Sequence, residues 1–259
     1  MAFLALILFF FTAEVKAEAA GADACQSLYV SLLPVVDPAL DPQNPIFARA
    51  LAHNFLNTQN AVRSRGGDIK GWNEIFAKEM EKTPLVKRLP NRKATLKQAE
   101  VRSLYDKISG HPVVAMCQLQ KYDPQNRMGY CFGRATAAHV EALRTRLQKE
   151  SIRKVWAVGP MRAGANIWSY HVATFVRNAA GEWQSIDPFI GKPIPLRQWM
   201  AKMKTYDADP GGLMFFASEG KRTAPDHPNK YRAKEFHEGE DGDLLLIDLM
   251  KETRKESGR

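Results

Sequence analysis

The sequence predicts an α+β protein, and three features of the chain support this fold class. Apolar residues recur at helical spacing through much of the region before residue 111. Two β-rich segments separated by a short turn lie within 168–186. Between these regions Cys131 stands where turn-forming residues give way to a helical pattern. We therefore expect a helical N-terminal region followed by a helix packed on an antiparallel sheet.

Three helices are predicted in the N-terminal region. The first covers 44–67, with Asn and Pro at its start and two glycines at its end. The second carries its apolar residues at helical spacing: Trp72, Ile75, Phe76 and Met80. The third begins at the capping-box pattern of Thr95 and Gln98 and ends at Gly110. The apolar stripes of these helices are expected to face the core.

The next helix is predicted to start near Cys131. Turn formers at 123–129 precede it, and apolar residues at helical spacing follow it. A thiol at a helix start lies in the partial positive charge of unpaired backbone N–H groups, which favours the thiolate. The same N–H groups are able to hold an oxyanion. Cys131 is therefore a candidate nucleophile.

A base for this nucleophile is predicted forty residues downstream. His171 lies in the middle of a strand rich in aromatic and β-branched residues, and the turn 178–181 leads into a second strand that ends at Asp187. The midpoint between positions 171 and 187 is 179, inside the turn, so a hairpin sets the two residues nearly opposite each other. Asp187 is thus placed to orient His171 toward Cys131.

These motifs resemble those of the protein glutaminases. The resemblance rests on Cys-aromatic-small-Arg-Ala at 131–135, Trp-Ser-Tyr-His-Val-Ala at 168–173 and Ile-Asp-Pro at 186–188. It covers roughly residues 115–190, and the second motif is the most specific. The resemblance implies a transglutaminase-like or papain-like core in an exported enzyme that deamidates glutamine side chains of proteins. It implies Cys131 as nucleophile, His171 as general base and Asp187 as the orienting carboxylate, with no cofactor.

Two aromatic residues of the second motif are candidate substrate-binding residues. Trp168 and Tyr170 precede the predicted base in its strand. They are expected to line the cleft, although packing within the strand is the alternative. The expected partners are proteins or peptides that carry glutamine. The same triad chemistry also suits a transglutaminase-like acyltransferase or a cysteine protease. A non-catalytic envelope-binding module is the alternative from a different class.

The cysteine content departs from the family pattern. Family members have several disulfides in the catalytic domain, whereas this chain has three cysteines. If Cys131 is the free nucleophile, Cys25 and Cys117 either pair with each other or are both buried thiols.

The predicted domain organisation has three parts. An apolar run of ten residues from Ala2 is too short to span a bilayer but suits a signal peptide, which we assign to 1–17. A helical region at 18–110 follows, and the resemblance implies that it is a pro-region; the alternative is a permanent helical subdomain. Residues 111–259 form the catalytic domain. The protein is expected to be a secreted or periplasmic monomer without stable membrane insertion.

The distribution of charge along the sequence argues against a nucleic-acid partner. The chain carries 37 Lys and Arg against 28 Asp and Glu, a formal net charge of +9. The basic residues are scattered, and no Arg-rich run or aromatic nucleic-acid motif accompanies them. The histidines other than His171 show no metal-ligand spacing with cysteine or carboxylate residues, so no metal site is expected. His139, two helical turns beyond Cys131, is expected to be a packing or surface residue.

The remaining elements follow from local patterns. We expect a strand at 154–158 ended by Gly-Pro, a loop at 161–166, a helix at 195–203 and a strand at 213–216. A surface loop is expected at 219–231 and a final helix at 243–255.

Overall fold

A computed structural model describes residues 54–122, 130–222 and 244–256 of the chain. The predicted signal peptide at 1–17 and Cys25 lie outside these ranges, as do the first ten residues of the first predicted helix. Within the described residues, no helix is long and apolar enough to cross a membrane.

Three helices precede Cys131, as predicted. They are α1 (Phe55–Ser64), α2 (Ile69–Lys82) and α3 (Gln98–Ser109). Asn54 and Asp68 cap the first two, each accepting a hydrogen bond from a backbone N–H in the first turn. The helical N-terminal half of the prediction is therefore confirmed for the described residues. One core prediction is wrong, because the Ile75 side chain is 64% exposed.

The predicted capping box of α3 is displaced by two residues. The Lys97 backbone N–H donates to Glu100 Oε2 at 2.8 Å, at 97–100 instead of 95–98. Only this half of a capping box forms, because the lysine side chain is not a hydrogen-bond acceptor. The reason for the displacement is a tertiary contact. The Leu96 N–H donates to the Arg177 carbonyl, which keeps the chain extended until Leu96 and delays the start of the helix.

The fourth helix, α4 (Cys131–Arg144), begins at the predicted cysteine. It is rich in buried alanine, which lets it approach the sheet closely: Ala135, Ala137, Ala138 and Ala142. After the short 3₁₀ segment Lys149–Ser151, the chain enters the sheet.

The sheet has four antiparallel strands: β1 (Ile152–Ala163), β2 (Asn166–Arg177), β3 (Trp183–Ile186) and β4 (Met214–Glu219). Their order is β3-β2-β1-β4. This confirms the α+β class and the antiparallel sheet. The helix α5 (Leu196–Lys204) lies between β3 and β4 in sequence, close to its predicted position.

The first strand is longer than predicted. It does not end at Gly159 and Pro160 but passes through them with a shift of register between Val158 and Met161. Pro160 has no N–H group to donate, and Gly159 has φ +138°. A β-bulge accommodates both features, so the Gly-Pro pair bends the strand without ending it. The loop predicted at 161–166 is therefore wrong, and the turn between β1 and β2 is confined to 164–165.

The sheet separates two packed layers. Along β2, Val172 and Val176 pack on the side of α4, whereas Ala173 and Phe175 pack with Trp199 of α5. This alternation is the two-residue period of a strand buried on both faces. The first helices also join these layers: Phe55 stacks on Phe216 at 4.5 Å, and Trp183 Nε1 donates to the Met80 carbonyl at 2.9 Å.

The last helix, α6 (Leu244–Glu256), packs on α4 and confirms the predicted C-terminal helix. Leu245 approaches Gly133 so closely that a Cβ at position 133 would lie 2.4 Å from its methyl carbon. Lys121 also donates to Asp248 at 2.7 Å. The helix is thus held against the first turn of the helix that carries Cys131.

Candidate active site

The candidate nucleophile lies at a sharp turn. Cys131 is the first residue of α4, and the preceding Tyr130 has φ 43° in the left-handed region. A bulky residue adopts this conformation only when its surroundings impose it. Tyr130 is buried, and its ring packs near the rings of Tyr122 and Phe132. This turn delivers the thiol to the helix start. The Gly133 and Arg134 N–H groups donate to the Tyr130 carbonyl, so the Cys131 and Phe132 N–H groups lie ahead of the helical hydrogen-bond pattern.

His171 lies between the thiol and the carboxylate. Its Nε2 is 2.9 Å from Asp187 Oδ2, and its side chain is also hydrogen-bonded to the Cys131 side chain. Because Nε2 faces the carboxylate, Nδ1 is the nitrogen left to face the sulfur. The three side chains are 8%, 4% and 2% exposed for Cys131, His171 and Asp187. The structure therefore brings together the three residues that the sequence singled out.

The hairpin register differs slightly from the prediction. Thr174 pairs with Ile186 and Arg177 with Trp183, which centres the hairpin one residue beyond position 179. Asp187 therefore stands beside position 173 and reaches His171 along a diagonal on the same face. The carboxylate still meets the imidazole because diagonal neighbours lie within reach of these side chains.

Two further groups hold the carboxylate of Asp187. Trp199 Nε1 donates to Oδ2 at 2.8 Å, and the Phe189 backbone N–H donates to Oδ1 at 3.2 Å. The second bond caps the 3₁₀ turn Pro188–Ile190. Trp199 was missed as a site residue because its helical spacing predicts only a core position.

Burial and charge act against each other at this site. Burial alone raises the pKa of the Cys131 thiol, but the hydrogen bond and charge of His171, the charge of Arg134 and the Val172 backbone N–H together lower it below its ordinary value. Burial likewise lowers the pKa of His171, but the carboxylate of Asp187 and the sulfur raise it to about 9. A thiolate beside an imidazolium is the protonation state that these shifts favour at neutral pH.

Arg134 is a second residue that sequence reasoning did not assign to the site. It lies one helical turn after Cys131 and is buried. Its positive charge favours the ionised forms of both Cys131 and Asp187, and it lowers the pKa of each. Its place in the first motif was the available signal.

The two predicted substrate-binding residues are half-buried and belong to different clusters. The ring of Trp168 lies 6.5 Å from that of Tyr206, whereas the ring of Tyr170 lies 5.8 Å from that of Trp156. Phe189 links the first cluster to His171, with its ring 5.1 Å from both the His171 and the Tyr206 rings. Phe189, Tyr206 and Trp168 thus form a row of half-buried rings beside His171, which we call the aromatic row.

The other cysteine and histidine predictions have mixed outcomes. His139 is buried and contacts Gly220, so it is a packing residue as expected. His111 is buried too, and its Nδ1 accepts the Val113 N–H at 3.1 Å. Cys117 is exposed, so the alternative that it is a buried thiol is wrong. Its suggested partner Cys25 lies outside the described residues, so the pairing stays a prediction. Among the described residues, no cluster of three or more His, Cys, Asp or Glu side chains is arranged to hold a metal ion.

Comparison with known proteins gives structural similarities only. No protein-family model matches the chain, and no curated protein matches its sequence. The solution structure of protein-glutaminase from Chryseobacterium proteolyticum is 19% identical and has a TM-score of 0.39, with 63% of this chain and 88% of that chain covered. The crystal structure of pro-protein-glutaminase is 18% identical and has a TM-score of 0.42, with 70% and 66% covered. At this level the similarities say nothing about the chemistry of this chain.

Proposed function

We propose that this protein is a cysteine amidohydrolase that deamidates glutamine side chains in proteins. The observation that carries the proposal is the buried, hydrogen-bonded row of Cys131, His171 and Asp187. The three motifs that resemble the protein glutaminases contain these three residues, which supports glutamine as the substrate group. The row of three side chains thus supports the cysteine chemistry, and the motifs support glutamine as the group that is attacked.

The proposed reaction proceeds in two halves. The Cys131 thiolate attacks the side-chain carboxamide carbon, and the C–N bond breaks as imidazolium His171 gives its proton to the departing ammonia. The remaining thioester is then attacked by a water molecule that gives a proton to neutral His171. The C–S bond breaks, glutamate is released and the thiolate is restored.

Two parts of the site stabilise charge in this scheme. In this scheme the N–H groups at the start of α4 donate to the oxyanion that forms next to Cys131. Arg134 adds a buried positive charge one turn along the same helix, which favours the thiolate before attack. Asp187 keeps His171 oriented and charged through the bond between Oδ2 and Nε2.

The substrate contacts are proposed from the aromatic residues around His171. Trp168 and Tyr170 stay candidate substrate-binding residues, and the aromatic row extends the surface of Trp168 through Tyr206 and Phe189. Half-buried rings of this kind pack against the aliphatic part of a glutamine side chain and its neighbours. The substrates are thus proposed to be proteins or peptides, consistent with an enzyme exported to the periplasm or the medium.

The test compares the full-length protein with its Cys131→Ala variant on a denatured protein that contains glutamine. Wild type should release ammonia and raise the substrate mass by about one dalton for each amide lost, whereas the variant should do neither. Ammonia release that is equal in the two proteins would reject the proposal.

The same experiment separates the alternatives. Crosslinked products would indicate a transglutaminase-like acyltransferase, and fragments would indicate a protease, because the acyl-enzyme then reacts with an amine or forms from a peptide bond. A non-catalytic module would show no reaction, and its Cys131 would react with iodoacetamide no faster than an ordinary thiol.

A further inference from the structure

Three polar contacts join the start of α4 to the sheet. The Val172 backbone N–H is hydrogen-bonded to the Cys131 sulfur. Thr174 Oγ1 donates to the Ala135 carbonyl at 2.6 Å. Lys154, which pairs with Thr174 across β1 and β2, donates from Nζ to Thr136 Oγ1 at 3.1 Å. All three contacts are on the α4 side of the sheet.

The contacts are spaced alike on the helix and the strand. From Cys131 to Ala135 the helix rises about 6 Å, since each residue adds about 1.5 Å. From Val172 to Thr174 the strand rises about 6.6 Å, at about 3.3 Å per residue. Both elements advance in the same direction between these contacts. The helix is thus bonded to the strand at two points about one helical turn apart, in matching register.

Apolar packing alone defines this register weakly. The helix face that meets the sheet is largely alanine, including Ala135 and Ala138, which are fully buried. Small side chains permit close approach, but they have no shape that resists a slide of the helix along the strand. Burial of apolar area is also non-directional. Directional hydrogen bonds are what distinguish one axial position of the helix from another.

Lys154 is well placed to strengthen this constraint. Its side chain is fully buried, and Nζ donates to the Arg222 carbonyl at 2.7 Å as well as to Thr136. Burial lowers the pKa of Lys154 to about 7, and the hydrogen bonds of this one amino group tie the helix to the segment that follows β4. Thr174 acts from the neighbouring strand on the adjacent helix residue.

We propose that Thr174 and Lys154 are positioning residues that set the axial register of α4 on β2 and so hold the Cys131 sulfur against His171. The importance of this register for catalysis rests on the proposed function. The register itself does not, because it determines the reactivity of the thiol with any alkylating agent.

A purely structural role predicts a loss of stability with an unchanged thiol. The positioning role predicts an altered thiol at nearly unchanged stability. Thr174→Val removes the hydroxyl but keeps the shape, and the Ala135 carbonyl still has its acceptor role within the helix. Stability is therefore expected to change little, whereas the distance from sulfur to imidazole is expected to change. Thr136→Val removes the acceptor on the helix but leaves the Lys154 side chain and its bond to the Arg222 carbonyl in place.

The experiment measures the rate of iodoacetamide alkylation of Cys131 between pH 5 and pH 10, together with stability in urea, for the full chain. Thr174→Val and Thr136→Val should each slow alkylation at pH 6 by about tenfold and raise the pH midpoint by about one unit, because the thiolate that reacts is stabilised less when the sulfur moves away from the His171 imidazolium. Thr174→Ser retains the hydroxyl and should restore the wild-type profile.

Thr145→Val is the matched control. It removes a hydroxyl bond of 2.7 Å to the Ala142 carbonyl at the far end of the same helix, away from the strand contacts. Its alkylation profile should equal that of wild type.

Wild-type alkylation rates and midpoints in Thr174→Val and Thr136→Val would overturn the proposal, whatever their stability. If Thr174→Val does not fold, a wild-type profile in Thr136→Val overturns it and a shifted profile supports it. If wild type releases no ammonia from glutamine, the proposed function fails, yet the alkylation profiles still decide the role of the register.

Discussion

Trp199 and His171 bind the same oxygen of Asp187. The indole Nε1 lies 2.8 Å from Oδ2, and the imidazole Nε2 lies 2.9 Å from it. The Trp199 ring also lies 6.0 Å from the His171 ring. A fully buried tryptophan therefore closes the row on the side away from the sulfur and keeps the carboxylate away from solvent.

Trp199→Phe should separate this hydrogen bond from the packing of the ring. The variant keeps an aromatic ring in α5 but loses the donor to Asp187, and a hydrogen bond to a charged group is worth about 1.5–3 kcal/mol. We expect kcat/KM for ammonia release to fall about 10- to 100-fold, mainly through kcat.

Trp183→Phe is the control for this prediction. It also removes a buried indole bond, that to the Met80 carbonyl at 2.9 Å, but Trp183 does not contact Asp187. It should cost stability in urea and leave kcat/KM near the wild-type value. A similar loss of kcat/KM in both variants would show that general destabilisation explains the effect.

The pH dependence of kcat/KM should be bell-shaped, with its alkaline limb near the raised pKa of His171. Asp187 and the sulfur raise that pKa to about 9 against the burial that lowers it. Above this pH the imidazolium loses the proton that ammonia needs, so the rate falls. The acidic limb should lie below the ordinary pKa of a cysteine, because the pKa of Cys131 is lowered.

Asp187→Asn tests the cause of the alkaline limb. Without the carboxylate charge the pKa of His171 falls, so the limb should move to lower pH and the maximum rate should drop. The same raised pKa affects folding stability in wild type. Because the pKa of His171 lies above its ordinary value of 6.5, its contribution to the free energy of unfolding is complete below pH 6.5 and is lost as the pH rises through about 9. An unmoved limb in Asp187→Asn would contradict this assignment.

His139 should make the fold sensitive to acid. Burial, assisted by the charges of Lys154 and Lys221, lowers its pKa to about 3 from 6.5. The unfolded chain therefore binds a proton that the folded chain does not, and stability falls as the pH drops below 6.5. One such proton costs about 1.4 kcal/mol per pH unit.

The measurement is urea unfolding at pH 7 and pH 5 for wild type and His139→Gln. The variant should lose less stability between the two pH values, since its remaining titratable groups are those of wild type. Equal losses in the two proteins would show that His139 is not responsible.

The aromatic row should affect substrate binding more than chemistry. Trp168→Ala and Tyr206→Ala each remove one half-buried ring, and such contacts are worth about 0.5–1.5 kcal/mol. We expect KM for a glutamine-containing peptide to rise about 3- to 10-fold with kcat nearly unchanged. Ile75→Ala, which removes an exposed apolar side chain of α2, serves as control. A fall in kcat at unchanged KM would instead make these rings part of the scaffold.

The helices α1 and α2 should remain bound to the rest of the chain after cleavage between α2 and α3. The helices α1, α2 and α3 contribute buried residues to the same cores as the sheet, including Phe55, Ala77 and Ile108. Tryptic cleavage within 83–97, which is rich in Lys and Arg, should give two fragments that elute together and separate only in denaturant. Release of the N-terminal fragment from a folded remainder would instead support a removable pro-region.

Local sequence patterns predicted most elements of the fold. The start of α4 at Cys131, the helix α5 and the hairpin of β2 and β3 follow from helical and two-residue periodicity with turn residues between them. These signals act over a few neighbouring residues, so they are readable in one sequence. The same signals failed where a distant contact decided the outcome, as at Leu96, whose bond to Arg177 delays α3.

The sequence by itself determined which side chains carry the candidate chemistry, because a cysteine at a helix start and a histidine and an aspartate in a hairpin are local arrangements. Tertiary structure alone decided what surrounds them: the indole of Trp199 on Asp187, the buried charge of Arg134 and the bond from Thr174 to the Ala135 carbonyl of α4. Hydrogen-bond partners far apart in the chain meet only when the layers pack, and no spacing along the sequence encodes that distance.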